Sequence, residues 1–295
     1  MLPIISRSCF MIKVCVPATS ANCCVGFDCM GIALDWWSTF TFDVAHTTWV
    51  SGCDPQFGTP DNLVLQAFYH TCEILDVKKP AVHLHIETDI PFSHGFGSSA
   101  TCIVAGIMGA NAWFHKNLTK NDVLKIATDI ERHPDNVAPA IFGAATVSIM
   151  VDGIPHMTYI PTADWQILAI VPEETISTKA ARKVLPSSIS FDHAKQQVAH
   201  ALVFEQALQT GDENALFLSC VDYLHEPYRK ALIPEYEGIH TYCQAHALSM
   251  WISGSGSSML VISKDKKKLD DLADTLDVPW HHVQISQKGA YVEYE

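Results

Sequence analysis

Basic residues are scarce in this chain. It carries 19 lysines and arginines against 32 aspartates and glutamates, a formal net charge of -13 at pH 7. A protein that grips duplex nucleic acid needs a basic footprint. The one basic run, "KDKKK" at 264–268, opens a predicted helix and reads as solvated surface, so nucleic acid is not an expected partner. Arginine is rarer still, with Arg7, Arg132, Arg182 and Arg229 the full set. No C-x-x-C pair occurs among the ten cysteines; Cys23 and Cys24 are adjacent and the others scatter through apolar segments such as "ATCIVAG". That argues against a disulfide framework or a zinc site and for free thiols in a reducing compartment. The N-terminus "MLPIISRSCFMIKV" lacks a long apolar stretch and a small-residue cleavage site, so secretion is not expected and a cytoplasmic location is. Met11 opens the first convincing strand, leaving residues 1–10 as a tail or an early start.

What is present is an apolar chain: 48% of its 295 residues are hydrophobic and 17% charged, a globular composition long enough for two domains. The twenty uncharged residues Gly95–Phe114 are long enough to span a bilayer, but they are rich in Gly, Ala, Ser and Thr. A buried helix is the expectation, and no membrane partner. The 15 histidines include His83 and His85, which alternate along "AVHLHIET" as residues on a half-exposed strand face do.

Strands are expected over 12–16 and 39–44, a helix over 61–75, and a strand at 81–88 leading through "DIPFSHGFGSS" into the uncharged helix. "TKNDVLKIATDI" reads as an amphipathic helix, "ERHPDNVAPAIFG" follows, and "AATVSIMV" is a strand. "DGIPHMTYIPTADW" at 152–165 reads as a boundary, after which strand and helix patterns restart. "WQILAIVP" is a strand, "TKAARKVL" a short helix, and helices are expected over 192–209, 212–224 and 235–247. "LSMWISGSGSSMLVIS" reads as two strands around a Gly/Ser turn, before a last helix and a final strand. The class is α+β, divided as 1–160 and 161–295.

Four stretches carry chemistry. In "HGFGSSAT", 94–101, glycines would let backbone N–H groups approach a phosphate, and the following helix adds its unpaired first-turn donors and positive dipole end. Ser98 and Ser99 can cap that helix, or one hydroxyl can ligate Mg²⁺. The loop is not G-x-x-x-x-G-K-[ST]. It fits G-x-G-x-x-A, but "DIPFSH" separates the strand from the first glycine and no acidic strand end lies about 20 residues on, so a dinucleotide site is not expected. In "IERHPDNVAPAIFG", Glu131 is the candidate Mg²⁺ carboxylate, with Asp129 the near alternative, and Asp135 and Asn136 are placed to hold a reacting hydroxyl. "HPDN" echoes a protein-kinase catalytic loop without its H-R-D-x-x-x-x-N spacing or a D-F-G. In "VPATSANCCVGFDCMGIALD", Asn22 and Asp28 are polar anchors among small residues, suited to a small ligand or simply to Asx turns. Arg182 in "TKAARKVLP" and Arg229 in "LHEPYRKALIPE" can bind a carboxylate bidentately or form ordinary ion pairs.

In this order the four stretches resemble the GHMP small-molecule kinases, and among them the branch that phosphorylates homoserine. "PATSANCCVGFDCMGIAL" looks like the first motif, "IPFSHGFGSSAT" the phosphate loop, "ERHPDNVAPAIFG" the substrate and metal segment, and "ISGSGSSMLVI" the third Gly-rich motif. The resemblance runs from about residue 12 to the end. It implies a ribosomal-S5-domain-2-like N-terminal domain with a left-handed βαβ feature, a ferredoxin-like C-terminal domain, and compatibility with a homodimer. It implies an ATP loop at Pro91, Phe92, Ser93, His94, Gly95, Phe96, Gly97, Ser98, Ser99, Ala100 and Thr101, with Asn62 near the adenine and Ser99 (or Ser98) and Glu131 on Mg²⁺. L-homoserine would be held by Asn22, Asp28, Asn136, Arg182 and Arg229, with Thr178 nearby; Asn136, Thr178 and Arg182 are its implied catalytic set. Relatives elsewhere in the superfamily use an aspartate as base; this branch resembles Asn136 at that place, so no base is assigned. Two expectations compete with homoserine phosphorylation: another GHMP kinase acting on threonine, and a ligand-binding relative without turnover. The family has Gly and Pro where this chain has Cys24 and Val25, so a left-handed backbone at Cys24 would be strained; "AATVS" likewise replaces a more glycine-rich stretch.

Overall fold

The computed structural model describes residues 11–294. Its first sheet begins as a long hairpin, β1 (Ile12–Ala21) and β2 (Met30–Val44). Both strands extend beyond the β-branched and aromatic segments that the sequence marked. Nearest the turn the added residues pair Thr19 with Ala33, Ser20 with Ile32 and Ala21 with Gly31, while Trp36 and Trp37 belong to the added part of β2 as well. Along β2, Phe40 and Phe42 point inward while Thr39, Thr41 and Asp43 face out, the period-2 pattern of a sheet with one covered face. β3 (Trp49–Ser51) pairs in parallel with β4 (Val82–Thr88), and α1 (Leu63–Ile74) bridges them.

The uncharged run becomes α2 (Ser98–Trp113). It packs against α1, β1 and α3 (Lys120–Glu131), which explains its lack of charge: eleven of its sixteen residues are buried. Among the described residues no helix is long and apolar enough to cross a membrane. The core here joins Ile12, Val14, Phe40, Phe42, Phe68 and Leu84. Truncating Phe68 to alanine would cost about 3–5 kcal/mol. After α4 (Val137–Phe142) come β5 (Ala145–Val151) and β6 (Ile154–Ile160), joined at Asp152-Gly153, both with positive φ. Much of the segment read as a domain boundary is therefore a strand, and the connection shrinks to 161–165.

The second sheet contains β7 (Gln166–Ile170), β8 (Ser249–Ile252), β9 (Met259–Ser263) and β10 (Trp280–Val283) in the order β10-β7-β9-β8, all antiparallel. Numbered within this unit the order is 4-1-3-2, the ferredoxin-like arrangement. Its helices are α5 (Thr178–Lys183), α6 (Phe191–Thr210), α7 (Glu213–Ser219), α8 (Glu226–Arg229), α9 (Tyr236–Ala245) and α10 (Lys266–Ala273). The helix expected over 212–224 stops at Ser219, because the chain there turns inward to bury Asp222 and His225. The expected final strand is two. β11 (Tyr291–Tyr294) leaves the second sheet and pairs with β1, Tyr294 opposite Ile12, so the tail of segment 161–295 completes the first sheet. Residues 1–10 lie outside the described residues.

Candidate active site

The loop between β4 and α2 reaches its helix through three left-handed residues, Ser93, Gly95 and Gly97. At two of them glycine is required by space as well as by φ. A Cβ on Gly95 would lie 2.0 Å from the Ser253 carbonyl oxygen, and one on Gly97 would lie 2.0 Å from Thr19 Oγ1. Gly97 is the N-cap of α2 and offers no side-chain acceptor, so the helix keeps its first-turn N–H groups for an anion. Neither Ser98 nor Ser99 caps the helix. Ser99 instead donates to Glu131 Oε2 at 2.7 Å. Glu131 sits in the last turn of α3, which Arg132 ends in a left-handed conformation.

Two cavities meet at this loop. One, of about 570 Å³, is lined by apolar groups including Phe40, Ile86, Ile90 and Phe92, with Phe57 stacked on Phe92 at 4.8 Å. The other, about 240 Å³, is polar and holds Asn22, Asp28, Glu131, Asn136, Arg182 and Arg229. Ser93, Ser98 and Ser99 line both. Thr101 borders the larger cavity and Thr178 the smaller. Asn62 borders the larger one too, but its amide is engaged: it accepts from Val64 N and donates to the Phe57 carbonyl, each at 2.9 Å. Within the loop, Phe96 is buried against Trp36, Ala100 is buried, and His94 faces Ser257 at 3.5 Å. These three and Pro91 border neither cavity.

The smaller cavity is a collection of opposed charges. Arg182 grips Asp28 with both ends of its fork, at 2.7 and 3.1 Å, and this bond holds the guanidinium pKa above its usual value. Arg229 is buried; burial and the nearby Arg182 lower its pKa, and its Nη1 donates to the Gly254 carbonyl at 2.9 Å. Both guanidinium groups lie over the Phe27 ring, at 5.8 and 5.1 Å. Asn22 Nδ2 donates to the same Gly254 carbonyl and its Oδ1 accepts from Asp28 N. Asn136 Oδ1 accepts from Thr19 Oγ1 at 2.8 Å, and Asn136 lines the smaller cavity.

Burial raises the Glu131 pKa, and the Ser99 hydrogen bond and His133 offset this only in part. Burial pulls His133 toward its neutral form, but its 2.6 Å bond to Asp135, with the charges of Asp135, Glu131 and Asp28, holds its pKa above the ordinary value. Asp28, His133 and Asp135 bring ligand atoms within 4.8 Å of one another. A hard Mg²⁺ prefers oxygen ligands and its own waters, and here the imidazole is spent on Asp135 and Asp28 on Arg182. The hydroxyl-carboxylate pair Ser99–Glu131 suits Mg²⁺ better, since it offers two oxygens, one of them on a half-buried carboxylate.

Sequence reasoning missed Thr19 and Phe27, although Phe27 stands inside the marked "GFD". It had no signal for Asp28 meeting Arg182 across 154 positions. The first-motif backbone is left-handed at Asn22, Cys23, Cys24 and Asp28, with Cys24 at φ 62. The left-handed backbone expected to strain Cys24 is therefore present.

The GHMP kinases N terminal domain profile matches residues 62–144, and the GHMP kinases C terminal profile matches 206–280. A homoserine kinase from Clostridium botulinum (strain 657 / Type Ba4) is 33% identical over 292 residues, covering 96% of this chain and 98% of the relative. This chain belongs to the homoserine kinase family of GHMP kinases. A second homoserine kinase, from Clostridium beijerinckii, is 33% identical over 289 residues, covering 95% of this chain and 97% of that protein. The crystal structure of homoserine kinase from Cytophaga hutchinsonii superposes with a TM-score of 0.85 at 25% identity, covering 96% of this chain and 97% of that one. The two-domain fold of the family is thus the fold of this chain, including the ferredoxin-like second sheet.

Proposed function

We propose that the chain transfers the γ-phosphoryl group of ATP to the side-chain hydroxyl of L-homoserine, giving O-phospho-L-homoserine and ADP, a step of threonine biosynthesis. One observation carries this reading within the family. The nucleotide-sized apolar cavity and the small charged cavity touch only across Ser93, Ser98 and Ser99, at the open N-terminus of α2. ATP in the first would present its terminal phosphates at that junction. A zwitterionic amino acid in the second would set its ammonium against Asp28 and its carboxylate against Arg182 and Arg229, the two charges now paired with each other.

Catalysis rests on placement and charge neutralisation, as suits a loose phosphoryl transition state. The α2 N–H groups and the glycine loop receive the phosphates. Ser99 and Glu131 would hold Mg²⁺, which when bound supplies charge neutralisation at the phosphates. Asn136, fixed by Thr19, directs its amide to the acceptor hydroxyl. Asp135 is committed to His133 and Asn136 N, so we assign no side-chain base, and the hydroxyl proton leaves to a phosphoryl oxygen. Thr178, at the start of α5, borders the acceptor; Asn62 shapes the nucleoside cavity as a helix cap.

The test is ADP release with ATP and Mg²⁺ against homoserine, threonine, serine, mevalonate and no acceptor. Homoserine-dependent release is expected. Turnover of threonine in its place would move the substrate assignment, and nucleotide binding with no turnover on any acceptor would refute the enzymatic reading.

A further inference from the structure

Behind the acceptor cavity lies a buried polar cluster that the phosphoryl transfer itself does not use. His225 is fully buried between the two domains. Its Nε2 lies 2.9 Å from the Cys24 carbonyl, an acceptor only, so Nε2 carries the proton. Its Nδ1 then faces Arg229 Nη1 at 3.4 Å as an acceptor. The ring stacks on Phe27 at 5.1 Å. Asp222 fixes the backbone beneath it, accepting from His225 N at 2.6 Å and Glu226 N at 2.8 Å. Gln197 from α6 completes the cluster, donating to Asp222 Oδ1 and to the Val25 carbonyl, at 2.9 and 2.7 Å.

The carbonyls so held belong to the strained turn. Cys24 is left-handed without the freedom of glycine, a conformation that persists only where the surroundings over-determine it. That turn carries Asn22 and Asp28, while the same histidine touches the guanidinium of Arg229. We propose that His225 is a positioning residue that ties the Asp28-bearing turn to Arg229, holding in register the two groups that grip the ends of the acceptor amino acid. The proposal rests on the homoserine-kinase reading above. It explains why a histidine stands four positions before Arg229 in "LHEPYR", on one face of a helical turn.

The test is His225→Phe, which keeps the ring and its stack on Phe27 but removes both polar contacts, beside His225→Gln, which restores a donor and an acceptor. His225→Phe is expected to raise the homoserine KM roughly tenfold, the scale of one hydrogen bond to a charged group, with kcat and the ATP KM little changed. His225→Gln should recover most of the loss. A folded His225→Phe whose homoserine KM is unchanged, or whose ATP KM rises in parallel, overturns the proposal. Should His225→Phe fail to fold, His225→Asn, too short to reach the Cys24 carbonyl, takes its place with the same two outcomes. Nitrogen NMR of the wild-type imidazole gives a reading that needs no substrate: the neutral Nε2–H tautomer is expected, and a charged ring or the Nδ1–H tautomer overturns the clamp. Absence of wild-type turnover on homoserine would refute the reaction alone, leaving the clamp to be judged by the NMR result.

Discussion

Replacing Arg182 with alanine separates the two ends of the acceptor experimentally. In the ligand-free fold its fork is closed on Asp28 at 2.7 and 3.1 Å, and the two side chains are 39% and 37% exposed. On the proposed reading, homoserine exchanges this pair for two new ones, its ammonium on Asp28 and its carboxylate on Arg182. A charge-assisted hydrogen bond contributes about 1.5–3 kcal/mol, and the exposure of this site places the contribution in the lower half of that range. The expected loss in kcat/KM for homoserine is therefore roughly 10–40-fold. The decisive comparison is 3-aminopropan-1-ol, which is homoserine without its carboxylate. It has nothing for Arg182 to hold, and in Arg182→Ala it finds Asp28 free of its competitor. Its slow turnover, followed by coupled ADP release at high acceptor concentration, should be unchanged or faster in the variant. An equal loss with both acceptors would refute the carboxylate clamp and leave Arg182 as a support for the 22–28 turn.

Other perturbations read other parts of the site. Gly95→Ala places a Cβ 2.0 Å from the Ser253 carbonyl oxygen at φ +87; the left-handed backbone alone costs about 1–2 kcal/mol, and displacing the loop by about 1 Å should lower kcat roughly 100-fold, so wild-type turnover with an unchanged melting temperature would contradict the packing. Glu131→Gln should raise the melting temperature of the ligand-free protein at pH 7 while weakening activation in a Mg²⁺ titration, because burial raises the Glu131 pKa and its ionised form is destabilising until a cation arrives. Glu226 is pushed up to about 8 by burial and then by Asp222. Between the ordinary carboxyl pKa and pH 8 the unfolded chain has lost a proton that the native state keeps, so stability from this group falls as pH rises through that window and levels off above it. Glu226→Gln, which can still accept from Ile252 N, should flatten that decline in thermal melts from pH 5 to 9; an unchanged slope would show that Glu226 is ionised in the fold.

How much of this was readable beforehand depended on whether the signal was local. The Gly-rich loop before α2 could be located because its requirements are: left-handed glycines, a helix immediately after, and a helix without charge because it is covered on several sides. Glu131 could be placed as the end of a periodic helix. The same local logic failed where it was applied incompletely, since "VDGI" at 151–154 carries a two-residue hairpin signal flanked by apolar residues and was nonetheless read as part of a boundary. The ends of β1 and β2 were hidden because Ala, Ser and Gly are mixed there with Ile, Leu and Trp and a register shift between Pro17 and Thr19 breaks the pairing pattern. The cap function of Asn62 was equally local: Asn immediately before an apolar-periodic run is an N-cap signature.

Other features had no local signal at all. Asp28 and Arg182 lie 154 residues apart, and His225 reaches a carbonyl 201 residues away; only the docking of the two sheets brings them together. The family resemblance named residues that the fold brings to one cavity, without supplying its ligand-free state, in which Asp28 and Arg182, proposed for opposite ends of a zwitterion, neutralise each other. That pairing has a physical rationale. An empty cavity in which Asp28 and two guanidinium groups stood apart would carry unpaired charges partly removed from water, which is costly. Closing Arg182 on Asp28 lowers that cost and leaves only Arg229 to be held by carbonyls and a neutral imidazole. Binding then becomes an exchange of ion pairs, in which the incoming amino acid must present both charges at once. Selectivity for a zwitterion follows from this exchange, since an amine alone or a carboxylate alone would break the existing pair and replace only half of it.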